Sequence, residues 1–329
     1  MRQLLIKLVL PALVLVLVSC GPLTFTIGGS AGNQTLLVKV VESDGRFVNH
    51  RVAIVDVTGL IINAVKPRLL QAGENPVSVL HEKLNTAASD DRVKAVILRL
   101  NSPGGGVTAS DMMYRQIHRF RQQTNKPVVA LMMDVAASGA YYLACASDRI
   151  ITYPTAVTGS IGVLIQHISV HDGLNRIGVR TEAITSGSNK NVGSPFAKMT
   201  NEHRAVLGEL VEDFYSRFVE VVRQARPGIP SDQLDRVTDG RVLSGDDAVE
   251  LGLADATGDL LDAFDEAKRL AGIDRAKLIL YHRPLDYVGS PYATAGVSST
   301  EINLVQLNLG DLGLLNNTSG FYYLWRPDL

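Results

Sequence analysis

Val93-Lys94-Ala95-Val96-Ile97-Leu98-Arg99-Leu100-Asn101-Ser102-Pro103-Gly104-Gly105-Gly106 is the stretch on which the fold turns. Its first eight residues form an apolar run broken only by Lys94 and Arg99. An apolar run closed by turn residues reads as a buried strand. A strand buried on both faces belongs in a parallel sheet. The neighbouring sequence agrees. Upstream, Arg51–Thr58 is alternating and β-branched, a second strand, and 76–88 carries Val79, Leu80, Leu84 and Ala87 on one helical face. Downstream come a helix from about Ser110 to Gln123, a buried strand at Pro127–Met133, a helix starting near Ser138 and a strand at Arg149–Tyr153. Strands alternating with helices imply right-handed βαβ crossovers and a mostly parallel α/β sheet. Ser160–Ser169, Asp172–Ile177 and Arg180–Thr185 are expected to continue as strand, helix and strand.

Residues 200–226 read as a long helix. Thr200 caps it, Val206, Leu210, Phe214, Phe218 and Val222 recur at helical spacing, and Pro227 ends it. Residues 231–238, 244–252 and 259–271 read as short helices of a C-terminal helical subregion. From Pro284 the chain is rich in Gly, Asn and Leu without a period. Two readings stand for this tail: a poorly ordered extension or a partner-binding arm. The resulting division is an export signal or anchor at 1–19, a tether at 20–46, one catalytic body at 47–283 and an extension at 284–329. No internal repeat is visible.

The 329 residues are 46% hydrophobic and 20% charged, with 32 basic and 33 acidic side chains, for a net charge of −1. So balanced a chain lacks the basic excess of a nucleic-acid binder. Aromatics at 6% also argue against a stacking platform for single strands. The two cysteines cannot make a disulfide framework. Cys145 sits in the apolar string Tyr-Tyr-Leu-Ala-Cys-Ala and reads as a buried small hydrophobe.

Arg2 and Lys7 precede an apolar run, Leu8 to Val18, and small residues follow at Ser19, Cys20 and Gly21. This is the layout of an export signal. Eleven residues fall short of the ~20 a bilayer span needs, but no charge occurs from Leu8 to Gly28, so an uncleaved anchor stays open. Leu17-Val18-Ser19-Cys20 resembles the bacterial lipobox, which implies lipid on Cys20. Both readings place the body outside the cytoplasm, tethered to a membrane.

Two motifs carry the chemistry. The glycine turn Gly104-Gly105-Gly106 brings bare backbone N–H groups to a strand end, where they can hold a phosphate or an oxyanion. It lacks the Gly-Lys-Ser/Thr ending of a phosphate-binding loop and the spacing of the dinucleotide fingerprint. The second motif, Asp134-Val-Ala-Ala-Ser138-Gly-Ala-Tyr-Tyr142, puts a serine at a strand-to-helix junction among small residues. Ser138 is either a helix cap or a nucleophile. A nucleophile needs a base. None of the seven histidines stands in a recognisable triad context. A lysine serves if burial brings its pKa down from about 10.4. Lys190 follows an expected strand and has small uncharged neighbours; Lys94, Lys126 and Lys198 read as surface charges.

With these residues assembled, the chain resembles the signal peptide peptidase A family, also called protease IV, over about residues 50–270. The likeness rests on Asn101–Gly106, Ala137–Tyr142, Thr158-Gly-Ser-Ile-Gly-Val163, Ser186–Lys190 with Ser194-Pro195, and Asp239-Gly-Arg-Val-Leu-Ser-Gly245 followed by Ala248–Asp255. The resemblance implies a ClpP/crotonase-like fold and a Ser-Lys dyad, with Ser138 as nucleophile and Lys190, 52 residues later, as base. It implies an oxyanion hole from Gly105 or Gly104 with the N–H of Ser138 or Gly139, and Ser160 as the hydroxyl that orients the base. It also implies apolar peptide substrates such as cleaved signal peptides, no cofactor or metal, and a dome-shaped homo-oligomer whose sites combine serine and lysine from neighbouring subunits. The helix at 200–226 is a candidate contact surface. Two further readings keep the fold and change the chemistry: a crotonase-like acyl-CoA enzyme and an inactive tethered scaffold.

Overall fold

The computed structural model describes residues 35–65, 73–284, 286–293 and 320–325. The N-terminal apolar segment and Cys20 lie outside them. Among the described residues, no helix is long and apolar enough to cross a membrane.

Nine strands build one sheet: β1 (Leu37–Ser43), β2 (Arg51–Thr58), β3 (Val93–Ser102), β5 (Val128–Ala137), β6 (Arg149–Thr152), β7 (Val157–Gly159), β8 (Val242–Ser244), β9 (Ala256–Thr257) and β10 (Lys277–His282). The order is β1-β10-β2-β3-β5-β6-β9, with β7 on the far end of β5 and β8 beside it. Pairing is parallel throughout except at β1–β10 and β7–β8. Two short strands, β4 (Gly104–Gly106) and β11 (Tyr322–Leu324), pair antiparallel away from that sheet.

The continuous apolar runs are explained by burial on both faces. Val52, Ile54, Ala95, Ile97, Val129 and Leu131 meet the helix α8 (Leu260–Leu270). Their alternate neighbours Ala53, Val55, Val96, Leu98 and Ala130 face a second core cluster. That cluster is built with α1 (Pro76–Ser89), α2 (Val107–Thr124), α3 (Gly139–Ala144) and the long α5 (Asn201–Ala225). Helix starts follow their caps. The Asn75 side chain accepts from the Val77 and Ser78 N–H groups ahead of α1, and Thr200 accepts from the His203 N–H ahead of α5. The expected short helices appear as α6 (Ser231–Val237), α7 (Gly245–Glu250) and α8.

Four expectations change. The segment 160–169 is not a strand: β7 ends at Gly159, and beyond it Leu164 alone makes a bridge. Residues 180–185, after α4 (His171–Arg176), are exposed and irregular; Thr181 donates to Phe196 O (2.8 Å), but among the described residues no strand pairs with them, so their β-branched pattern has no sheet to join. Leu37–Ser43, expected within the tether, is the edge strand of the main sheet, bulged between Val40 and Glu42. The described residues of the tail, 286–293 and 320–325, also lie against the body. Arg99, 1% exposed on β3, donates to the carbonyls of Pro291 (2.8 Å) and Ala293 (2.7 Å), while its Nε holds Asp56. A buried guanidinium needs such partners, and the tail supplies them.

Candidate active site

Ser138 stands at the end of β5, where the chain turns into α3. Its backbone is at φ 54°, ψ −116°, a region a β-carbon disfavours. The surrounding bonds impose it. Val135, Ala136 and Ala137 pair with β7, the Ser138 N–H donates to Gly159 O (2.8 Å), and the Ser138 carbonyl accepts from Tyr142 (2.9 Å). The residue is 1% exposed, and its hydroxyl has no hydrogen-bond partner among the described residues. An unsatisfied buried hydroxyl costs about 1–3 kcal/mol. Strain and an orphan hydroxyl together mark a residue held for something other than stability.

The glycine turn lies against it. β4 is held on one edge by Ile61, which donates to Gly104 O (2.8 Å) and accepts from Gly106 N (2.9 Å). A β-carbon on Gly105 would fall 1.9 Å from the Ile61 carbonyl oxygen, so that backbone approach requires glycine. Gly104, at φ +99°, packs on α3: a β-carbon there would come 2.7 Å from the Gly139 N. A β-carbon on Gly139 would meet the Ser110 hydroxyl at 2.5 Å. The glycines Gly104, Gly105 and Gly139 are thus brought together beside Ser138.

β7 and β8 pair at the same end of β5. Gly159 (φ +76°) and Ser160 (φ 49°) turn the chain sharply. The Ser160 N–H donates to Arg241 O (2.6 Å). Arg241 is itself fixed by Asp239 (2.6 Å), and that hydrogen bond draws the Asp239 carboxyl down to about 2. The motif Asp239–Gly245 therefore supports Ser160, which is nearly buried.

Lys190 is not brought to this pocket within one chain. It lies exposed in a turn, its N–H donating to Gly187 O, on an arm that leaves the body after Leu164 and returns at α5. The arm touches the first turn of α5, where Asn189 donates to Glu202 (2.8 Å) and His203 Nε2 meets Ser188 O (3.0 Å). Lys83 is the buried lysine of the described residues. Desolvation pulls its ammonium below the usual lysine range, but its charged neighbours are Asp56, Glu74 and Asp286 rather than Ser138. Cys145 is in the core, its thiol pushed up to about 12 by burial.

Sequence reasoning missed a polar tie under the site. Asp111 of α2 accepts from Tyr142 (3.0 Å) of α3, from Arg217 (3.1 Å) of α5 and from Arg115 (2.7 Å). Its only sequence signal is the Asp111–Arg115 spacing, which shows one of the three partners.

Comparison with known proteins adds independent findings. Residues 120–274 match the model of peptidase family S49. The chain is 29% identical over 281 residues to a protein of Enterococcus faecium described as "Putative signal peptide peptidase SppA", covering 84% of this chain and 81% of that one. It is 32% identical over 225 residues to Protease 4 of Haemophilus influenzae, 68% of this chain and 35% of the other. It is 31% identical over 272 residues to a chloroplastic serine protease SPPA of Arabidopsis thaliana, 82% and 40% respectively. The chain spans well under half of the latter two proteins.

Proposed function

The chain belongs to peptidase family S49, the signal peptide peptidase A serine peptidases, and on that premise we propose that it is a membrane-tethered endopeptidase with a Ser138–Lys190 dyad. The observation that carries the reading is Ser138 itself: strained, buried and unpartnered beside bare glycine backbone. The ClpP/crotonase-like architecture follows from the family. Lys190 comes from a neighbouring copy, since its exposed arm is free to reach outward. Docked against Ser138 it is desolvated, which favours the neutral amine a base requires. Ser160 orients that amine.

Neutral Lys190 takes the Ser138 proton as Oγ attacks the peptide carbonyl. The oxyanion forms against the Gly105 N–H and an N–H at Ser138 or Gly139. Lys190 then protonates the leaving amine. In the second half it takes a proton from water, which hydrolyses the ester. Substrates are extended apolar peptides such as cleaved signal peptides, reached from the non-cytoplasmic face of a membrane. The chain is held there by lipid on Cys20 or by the uncleaved apolar segment.

Ser138→Ala in the full chain is expected to lower peptide hydrolysis by about 10⁴-fold or more. It should leave thermal stability equal or slightly raised, because an orphan buried hydroxyl is removed. Hydrolysis that survives the substitution refutes the assignment.

A further inference from the structure

Helix α5 is anchored to the core through its C-terminal half. Phe218, Val221 and Val222 are buried there, and from Asn201 to Arg217 every residue is exposed or half-buried except His203. Fifteen residues separate His203 from Phe218, about 22 Å along the axis at 1.5 Å per residue. A histidine 7% exposed on so bare a stretch of helix needs a local cause. The segment that carries Lys190 supplies it. His203 Nε2 lies 3.0 Å from the Ser188 carbonyl oxygen. A carbonyl only accepts, so Nε2 carries the hydrogen and donates it. Beside it, Glu202 accepts from the Asn189 amide (2.8 Å) and from the Ser188 hydroxyl (3.3 Å). The Thr200 cap fixes this first turn, since its side chain accepts from the His203 N–H (3.1 Å).

The other flank of the lysine is held in a similar way. His167 Nε2 lies 3.3 Å from Ser194 O, His171 Nδ1 lies 3.1 Å from Phe196 O, and the Val170 N–H donates to Pro195 O (2.8 Å). Between the two attachments the chain runs in successive turns. The Lys190 N–H donates to Gly187 O (3.1 Å), and the Ser194 N–H donates to Asn191 O (3.0 Å). Three of the seven histidines thus serve carbonyls of the stretch that bears Lys190. They differ in where they stand. His167 and His171 are half-buried on the arm itself, whereas His203 is buried on a helix continuous with the core. His203 and Glu202 therefore tie the lysine to the body, and the other two tie the arm to itself.

We infer that His203, with Glu202, is a positioning residue for Lys190: the pair fixes Ser188 and Asn189 so that α5 presents the next side chain, the general base, at a set place. This role rests on the Ser138–Lys190 dyad proposed above. Lys190 is exposed at the end of a long flexible stem, and the hydroxyl it has to reach is buried. Each freedom left in its backbone multiplies the places its amine can occupy. A misplacement of about 1 Å can cost about 10²-fold in rate. Among the described residues, neither His203 nor Glu202 bonds to Ser138 or to the glycine turn. Their loss should therefore show in the chemical step and leave substrate binding, which the groove beside Ser138 governs, nearly as it was.

The test is a double-mutant cycle in the full chain, read with a fluorogenic apolar peptide. His203→Ala is expected to lower kcat by about 10- to 100-fold and to change KM by less than about twofold. His203→Gln, whose amide can place an N–H where Nε2 stood, should bring kcat back to within about threefold of wild type. In a Lys190→Ala background, His203→Ala should cost less than about twofold more, because a base that is absent cannot be misplaced. A histidine needed only for folding would lower activity by the same factor in both backgrounds. That result overturns the positioning role, and so does a His203→Ala enzyme with wild-type kcat. The two ways of failing stay apart. Lys190→Ala with wild-type activity refutes the dyad, and the role of His203 falls with it. Lys190→Ala reduced to about 1% or less, with His203→Ala uncoupled from it, leaves the dyad standing and removes His203 alone.

Discussion

The two halves of the proposed dyad sit in opposite kinds of structure. Ser138 lies among fully buried residues, its backbone fixed by β5, β7 and α3. Lys190 rides on an arm whose residues 176–188 are exposed throughout, with Ile184 fully in solvent and Ile177, Val179 and Phe196 largely so. The difference separates what one chain can build from what it cannot. A strained nucleophile needs a rigid frame, and the sheet supplies it. A lysine that must be neutral needs burial, and this arm has none until another surface covers it. Apolar residues displayed on a projecting arm are the usual mark of a surface that is covered in an assembly.

The largest effect should come from separating the two halves. Lys190→Ala is expected to lower activity by about 10²–10⁴-fold, the span of a general base, without moving the melting temperature of the unassembled chain. Each variant alone should hydrolyse peptide at no more than about 1% of the wild-type rate. Mixed under conditions that allow subunit exchange, the two should recover about a quarter of wild-type activity, because a random mixture pairs an intact Ser138 with an intact Lys190 at one site in four. No recovery would place both residues in one chain and dissolve the contrast.

How legible each half was follows from the same contrast. The sheet strands could be read because burial on both faces writes itself as near-continuous apolar runs, as in Val93–Leu100 and Val128–Met132. Ser138 and the glycines could be found because close backbone approach leaves only small residues at fixed spacing. Lys190 was singled out by its small uncharged neighbours and by family likeness, and within this chain it stays exposed on its arm. The arm was misread at 180–185 because a β-branched pattern without a partner strand does not make a strand. β11 was invisible for the opposite reason. Three residues after a long unpatterned stretch have no period, and their partners, Gly104–Gly106 and Leu164, lie more than 150 residues away.

A smaller effect should appear within the rigid half. Asp111 joins α2, α3 and α5 through three hydrogen bonds. Burial pushes its carboxyl up, but the bonds from Arg115, Tyr142 and Arg217 outweigh that and hold it below the ordinary 3.8. A carboxylate with a depressed folded pKa stabilises the fold above its unfolded value. That stabilisation disappears as pH falls through the folded value. Asp111→Asn is therefore expected to cost about 1–3 kcal/mol at pH 7. The gap from wild type in urea melts should narrow steadily once the pH drops below 3.8. A gap that stays constant into acid would mean that Asp111 contributes by shape rather than charge.

The smallest effect on folding, and the sharpest for assembly, belongs to Ile184. Its side chain contributes no burial in the single chain, so Ile184→Ser should change unfolding free energy by less than about 0.5 kcal/mol. If the arm is covered by a neighbouring copy, the same substitution removes apolar surface from that contact. An isoleucine buried there is worth about 1.5–3 kcal/mol per interface. The variant should then dissociate at concentrations roughly tenfold or more above those at which wild type does. Its activity should fall only on dilution and recover at high protein concentration. That concentration dependence is what a defect in Lys190 delivery looks like, and a defect in the Ser138 pocket cannot imitate it, because the pocket is completed within one chain. Equal sedimentation profiles for the two proteins across the dilution series would remove Ile184 from the interface and leave the arm to reach Ser138 through other residues.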